Sequence, residues 1–167
     1  SIERHREFYL NLVNLDRTNW KRIDAIYGQV TLAWINAPRD QTILEFIHSL
    51  RIYQKLRGLW DDLFAWTQHG LAVAETMESY EDIAVFLQDI AYTYKNASNY
   101  QQALNSYQQA LAICEKIGNQ NSLGSIFNEV GSTYWLSGDY QQSLDYHQRA
   151  LAIFEVTDNQ LGLAETF

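Results

Sequence analysis

The sequence predicts an all-α fold, a right-handed solenoid of stacked antiparallel helix pairs. Three observations carry this expectation. The stretch Tyr140-Gln141-Gln142-Ser143-Leu144-Asp145-Tyr146-His147-Gln148-Arg149-Ala150-Leu151-Ala152-Ile153 has a near copy forty positions upstream, from Tyr100 to Ile113. With 82–121 set against 122–161 without a gap, 14 of 40 positions are identical, and self-similarity at such a period marks a repeat architecture. Within the repeat, Leu123, Ile126, Phe127, Val130 and Tyr134 recur at helical spacing, the pattern of a helix with one apolar stripe. The chain also holds only one Pro and eight Gly, too few for a loop-rich β architecture.

The register runs backwards from Tyr140 and Tyr100 to Trp60 and Trp20, each an aromatic residue that opens a helix. Identity between 42–81 and 82–121 falls to 7 of 40, and the stretch before it fits by helical pattern only. Four units follow, at 2–41, 42–81, 82–121 and 122–161, with the opening of a fifth helix pair behind them. Each unit reads as two helices. In the first, Asp16-Arg17-Thr18-Asn19 makes the inner turn, with Thr18 or Asn19 as the cap. Pro38 falls in the outer turn between units one and two, where it can occupy the first turn of a helix because its missing N–H costs nothing there. Arg57-Gly58-Leu59 makes the inner turn of the second unit. In the third, Asn96-Ala97-Ser98-Asn99 makes the inner turn and Gly118-Asn119-Gln120 the outer one. In the fourth, Gly138 takes the left-handed conformation that ends a helix, and Asp139 caps the next. That last helix carries Leu144, His147, Ala150, Leu151 and Phe154 and ends near Thr157-Asp158-Asn159. Gly131 and Ala91 in first helices, and Ala110 and Ala150 in second helices, let helices approach closely. One pair cannot bury its apolar faces alone. Stacked neighbours bury them together and generate a concave and a convex face.

Composition narrows the function. A hydrophobic share of 47% argues against disorder. Eleven Tyr and five Trp supply both core and contact surface. The net charge of −8 leaves no basic footprint for nucleic acid or an anionic membrane, and it favours solubility. Cys114 is the single cysteine, so neither an internal disulfide nor a Cys-based metal site is expected; within its apolar helical pattern it reads as a buried, inert thiol. No apolar run reaches membrane-span length and no signal peptide is visible, so a reducing cytoplasm is the expected location. A start at Ser1 and an end at Phe167, inside a fresh helical pattern, read as a piece of a longer protein.

Catalytic signatures are missing from the sequence. It has no Gly-x-Gly-x-x-Gly, no P-loop, no Gly-x-Ser-x-Gly and no His-Glu-x-x-His. His5, His48, His69 and His147 share no ligand spacing, so no metal or cofactor is expected. The acidic pairs Asp61-Asp62 and Glu81-Asp82 fall at helix starts, where negative charge complements the helix dipole. That explains them without paired-carboxylate catalysis.

These residues resemble the tetratricopeptide repeat. Its pattern of an apolar residue, a Leu-Gly-like pair and a Tyr, then a turn and a second helix with small and aromatic positions, appears twice in register. Unit four shows Phe127, Val130-Gly131, Tyr134, Gly138-Asp139-Tyr140, Ser143, His147 and Ala150. Unit three shows Leu87, Ile90-Ala91, Tyr94, Ser98-Asn99-Tyr100, Ala103, Tyr107 and Ala110. Unit two departs, with Arg51 in place of the small residue and Gln54 in place of the Tyr. The longer period, and Glu115 and Glu155 where the family closes on Pro, are similar to the forty-residue variety found in kinesin light chains and the Leu-Gly-Asn repeat proteins.

The resemblance implies a groove that binds a protein or peptide, lined by the first helices. Carried over position by position, the lining is His48, Ser49, Ile52 and Lys55 in unit two, Gln88, Asp89, Tyr92 and Lys95 in unit three, and Asn128, Glu129, Ser132 and Trp135 in unit four. Asn128 matches a groove asparagine that holds a peptide backbone, and Glu129 departs from a second one. His48 and Lys55 do not match the carboxylate clamp of chaperone-binding relatives, so that mode is not expected. A fifth unit could instead cover Trp135. A second resemblance joins Asp24 to Trp34, Leu50-Arg51-Ile52-Tyr53 and Arg57-Gly58-Leu59-Trp60 to the helical sensor region of bacterial STAND-type signalling ATPases. It implies a regulatory sensor arm of a larger protein. Self-association through terminal repeats is the third reading.

Overall fold

The computed structural model describes residues 20–34 and 41–157, together with the helical positions Arg4, Glu7 and Phe8. The Asp16–Asn19 turn, Pro38 and the opening of the fifth unit lie outside the described residues. The described residues form helices and turns without a strand. The helices are α1 (Trp20–Trp34), α2 (Gln41–Arg57), α3 (Trp60–Thr76), α4 (Tyr80–Asn96), α5 (Tyr100–Ile117), α6 (Gln120–Ser137) and α7 (Tyr140–Thr157). Trp20, Trp60, Tyr100 and Tyr140 each open a helix, as the forty-residue register requires. The fold class is that of α-solenoids built from antiparallel helix pairs.

One backbone device makes the five turns between α2 and α7. Gly58, Glu78, Ser98, Gly118 and Gly138 have φ of +67°, +53°, +61°, +70° and +88°. They recur every twenty residues, which halves the period seen in the sequence. Each ends its helix with the same two bonds: Gly138 N–H donates to the Trp135 carbonyl at 3.1 Å and Asp139 N–H to the Tyr134 carbonyl at 2.9 Å. The equivalent pairs start from Gly58 and Leu59, Glu78 and Ser79, Ser98 and Asn99, and Gly118 and Asn119. This is the Schellman arrangement, which satisfies carbonyls that a helix end leaves orphaned. The carbonyl of the second residue of each pair accepts the first backbone bond of the following helix, and at two of the five the side chain caps that helix as well. Asp139 Oδ1 accepts from Gln142 N–H at 3.1 Å, and Asn119 Oδ1 accepts from Ser122 N–H at 3.1 Å. A two- or three-residue connection thus reverses the chain and satisfies two carbonyls of the preceding helix.

The chain divides into two compact units after Val73. In the first, Ile23 and Val30 of α1, Ile43, Phe46, Ile47 and Leu50 of α2, and Leu63 of α3 are buried. Phe46 meets Trp66 edge to face at 5.3 Å. Gln54 stands where the repeat carries a Tyr; it is fully buried and its Nε2 donates to Tyr27 Oη at 2.9 Å, while its Oε1 lacks a partner. Tyr27 Oη in turn donates to Asp62 Oδ2 at 2.9 Å. Tyr53 donates to Asp24, which also pairs with Arg57 Nε at 3.0 Å.

In the second unit α4 pairs with α5, α6 with α7, and α5 packs on α6. Phe86, Ile90, Ala91, Tyr107, Ala110, Cys114, Ile126, Val130, Ala150 and Phe154 form its core. A fully buried Phe or Ile contributes about 1.5–3 kcal/mol by removal from water. Gly131 lies under the His147 ring, and a Cβ there would come within 2.9 Å of it. Gly124, which the repeat pattern alone does not mark, lies under Phe154, and a Cβ there would come within 2.5 Å. The Cys114 thiol is fully buried, and burial pushes its pKa up, as an inert thiol requires. Among the described residues no helix is long and apolar enough to cross a membrane.

Candidate functional site

The first helices of units three and four, α4 and α6, carry the eight lining positions of the second unit. Their spacing of three and four residues puts each set on one helix face. The face is organised by Glu129. Its carboxylate forms an ion pair with Lys95 of α4 and accepts from Tyr107 Oη of α5 at 3.3 Å. The Lys95 side chain is only 13% exposed, against 37% for Glu129. The same ammonium lies 4.9 Å from the Tyr92 ring centroid, inside cation–π range. Burial, then the Glu129 charge and hydrogen bond, push the Tyr107 hydroxyl well above its ordinary pKa, and Asp89 adds to the shift. Tyr107 is therefore a fixed donor. Asp89 itself is buried.

Asn128 is buried, and its Oδ1 is hydrogen-bonded to His147 Nδ1 at 2.9 Å. With Oδ1 as the acceptor, the ring nitrogen donates. Burial lowers the His147 pKa, which favours the neutral ring. Gln88 Nε2 donates to the Ala84 carbonyl at 3.1 Å, and Ser132 Oγ to the Asn128 carbonyl at 3.0 Å. Trp135 is 62% exposed and meets Tyr140 edge to face at 4.9 Å. In the first unit, α2 carries its own four positions. His48 and Lys55 are half-buried, Ser49 is buried and bonded to the Glu45 carbonyl at 2.8 Å, and Ile52 is exposed.

The structure thus brings Tyr92, Lys95 and Glu129 together, ties Asn128 to the following helix, and leaves Trp135 open. Tyr107 and His147 complete this arrangement, and the sequence marked them only as second-helix packing residues. Tyr107 stands 22 positions from Glu129, and Lys95 stands 34. No local spacing signals such pairs. Among the described residues no group of three His, Cys, Asp or Glu side chains is placed to share a metal ion.

Comparison with known proteins follows the same outline. The family model of the tetratricopeptide repeat matches residues 82–155, a stretch that spans unit three and most of unit four. No curated protein matches the sequence. BtubC (BKLC) from P. vanneervenii matches with a TM-score of 0.73 and 17% identity, over 93% of this chain and 66% of that one. Aspartyl phosphate phosphatase F from Bacillus subtilis matches with a TM-score of 0.77 and 15% identity, over 99% of this chain and 44% of that one. The nearly identical TPR-like repeats of a kinesin light chain candidate from Podosopora anserina match with a TM-score of 0.71 and 17% identity, over 99% of this chain and 86% of that one. The chain spans less than two thirds of the length of the first two structures. At these identities the likeness establishes the fold. That fold is the tetratricopeptide-like solenoid of antiparallel helix pairs, and residues 82–155 match the repeat in sequence as well.

Proposed function

We propose that the chain is a protein–protein interaction module and that the α4–α6 face of its second unit holds a protein or peptide segment. One observation carries the reading. Trp135 is 62% exposed at the end of a face whose other members are already fixed by internal bonds. An exposed Trp on a face that also carries the half-buried Tyr92 matches the aromatic enrichment of binding hot spots. Fixed polar neighbours lower the ordering cost of association. Asp89 and Glu129 against the single Lys95 leave the face with an excess of negative charge, which favours a neutral or basic segment over an acidic one. No catalytic group or cofactor enters this reading.

Peptides selected from a random display library on the wild-type chain provide the test. Their affinity is compared with that for Tyr92→Ala and Trp135→Ala, each checked for helical content by circular dichroism. Loss of a hot-spot aromatic predicts roughly tenfold or greater weakening. Unchanged affinity in both folded variants overturns the proposal.

A further inference from the structure

The first unit has a recess between α1 and α3. Gly28 and Leu32 of α1 face Asp62, Ala65, Trp66 and His69 of α3 across a pocket of about 510 Å³. That volume falls within the range of small-molecule sites. α1 and α3 are second helices of their repeats, so the first-helix lining positions do not border it.

Gly28 is the informative residue. A glycine in the middle of a helix costs stability relative to alanine. Its backbone does not take the left-handed conformation that would require glycine. No tight helix contact requires it either, because an added Cβ would meet nothing within 4 Å. The register position that holds Ala110 and Ala150 falls on Val30, not on Gly28. What the missing side chain does is leave the pocket open.

The walls are specific to this unit. Ala65, Trp66 and His69 stand where unit three has Asn105, Ser106 and Gln109, so the repeat pattern does not generate them. The Asp62 carboxylate is held by Tyr27 Oη at 2.9 Å, and Tyr27 is itself held by Gln54 at 2.9 Å. Trp66 is braced by Phe46 at 5.3 Å and by His69 at 6.4 Å. Leu32, 72% exposed, places apolar surface at the edge. The pocket therefore offers a positioned carboxylate, an indole ring and apolar lining. A carboxylate and an indole both attract a cation.

We propose that this pocket binds a small organic cation with an apolar body, its ammonium group served by Asp62 and Trp66. The probe is phenethylammonium, titrated into the 167-residue chain by calorimetry and followed by amide and indole proton shifts. The neutral 3-phenylpropanol and the anionic 3-phenylpropionate are the controls. Phenethylammonium should bind with shifts at Gly28 and Trp66, and the alcohol should bind about tenfold or more weakly, since it lacks the cation–π and charge-assisted contacts. Asp62→Asn keeps an acceptor for Tyr27 and should lose about the same factor. Gly28→Leu should abolish binding while raising the melting midpoint, a pairing that a purely structural glycine would not give. Failure of phenethylammonium to bind at millimolar concentration overturns the proposal. So does equal binding of the alcohol, or binding unchanged in Asp62→Asn or Gly28→Leu. Tighter binding of N-acetylarginine amide than of phenethylammonium would assign the pocket to a partner's side chain and overturn the small-molecule reading.

Discussion

Glu129 sits between two donors from different helices, and its removal has an asymmetric cost. Glu129→Gln leaves the Lys95 ammonium, 13% exposed, without this counter-charge. Lys95→Met leaves a carboxylate that still has Tyr107 and water. Glu129→Gln should therefore cost about 1–2 kcal/mol, a value reduced by the screening at a partly exposed pair, and Lys95→Met less. Urea denaturation of the two variants checks the order. His147 gives a pH signature. Its folded pKa is lowered from 6.5 by burial, so in acid the unfolded chain takes up the proton first. The contribution is complete above pH 6.5 and is lost as pH falls from there through the folded value. Thermal midpoints measured across that range should drop in the wild type and drop less in His147→Gln. At high pH the sign reverses for the tyrosines. Burial raises Tyr53 from 10.0 to about 12 and pushes Tyr27 and Tyr107 higher still. Stability should be full below pH 10 and fall as pH rises beyond it, because the unfolded chain loses those protons first.

The helix-and-turn element repeats every twenty residues, and its weak points are the two turns without glycine among the five described. Glu78 at φ +53° and Ser98 at φ +61° hold a left-handed conformation that disfavours a Cβ. Glu78→Gly and Ser98→Gly should each stabilise the chain by about 0.5–1 kcal/mol, and Gly138→Ala, at φ +88°, should destabilise it by about 1 kcal/mol. Thermal and chemical denaturation read all three directly. The turns were legible in the sequence wherever chemistry announced them. Gly138 and Asp139 carry a helix-end and a cap signal, and both act as such. Ser98 announces a turn but not its handedness, and Glu78 announces neither. Their conformation is imposed by the Schellman bonds of the preceding helix, whatever side chain is present. Helix starts at Trp60, Tyr100 and Tyr140 were legible for a different reason: the register repeats the aromatic residue at each one.

At the scale of the molecule, units three and four carry the repeat pattern most openly, and the family model matches that stretch. The first unit of the fold keeps the helices while losing the pattern, with Gln54 and Tyr27 replacing the usual Tyr by a part-buried hydrogen bond. The fold was legible because apolar periodicity survives such exchanges. The candidate site was legible only as a set of positions. Lys95 meets Glu129, and Asn128 meets His147, only after neighbouring helices stack, and a linear sequence holds no spacing for contacts of that kind. The Gly28–His69 pocket was illegible for the same reason, since its two walls come from helices about forty residues apart. The central claim is that the α4–α6 face binds a protein segment. Amide-resolved NMR of the chain, titrated with a library-selected peptide, tests it most directly. Shifts concentrated at Gln88–Lys95 and Asn128–Trp135 are the predicted result, and shifts confined to the exposed faces of α5 and α7 would contradict it.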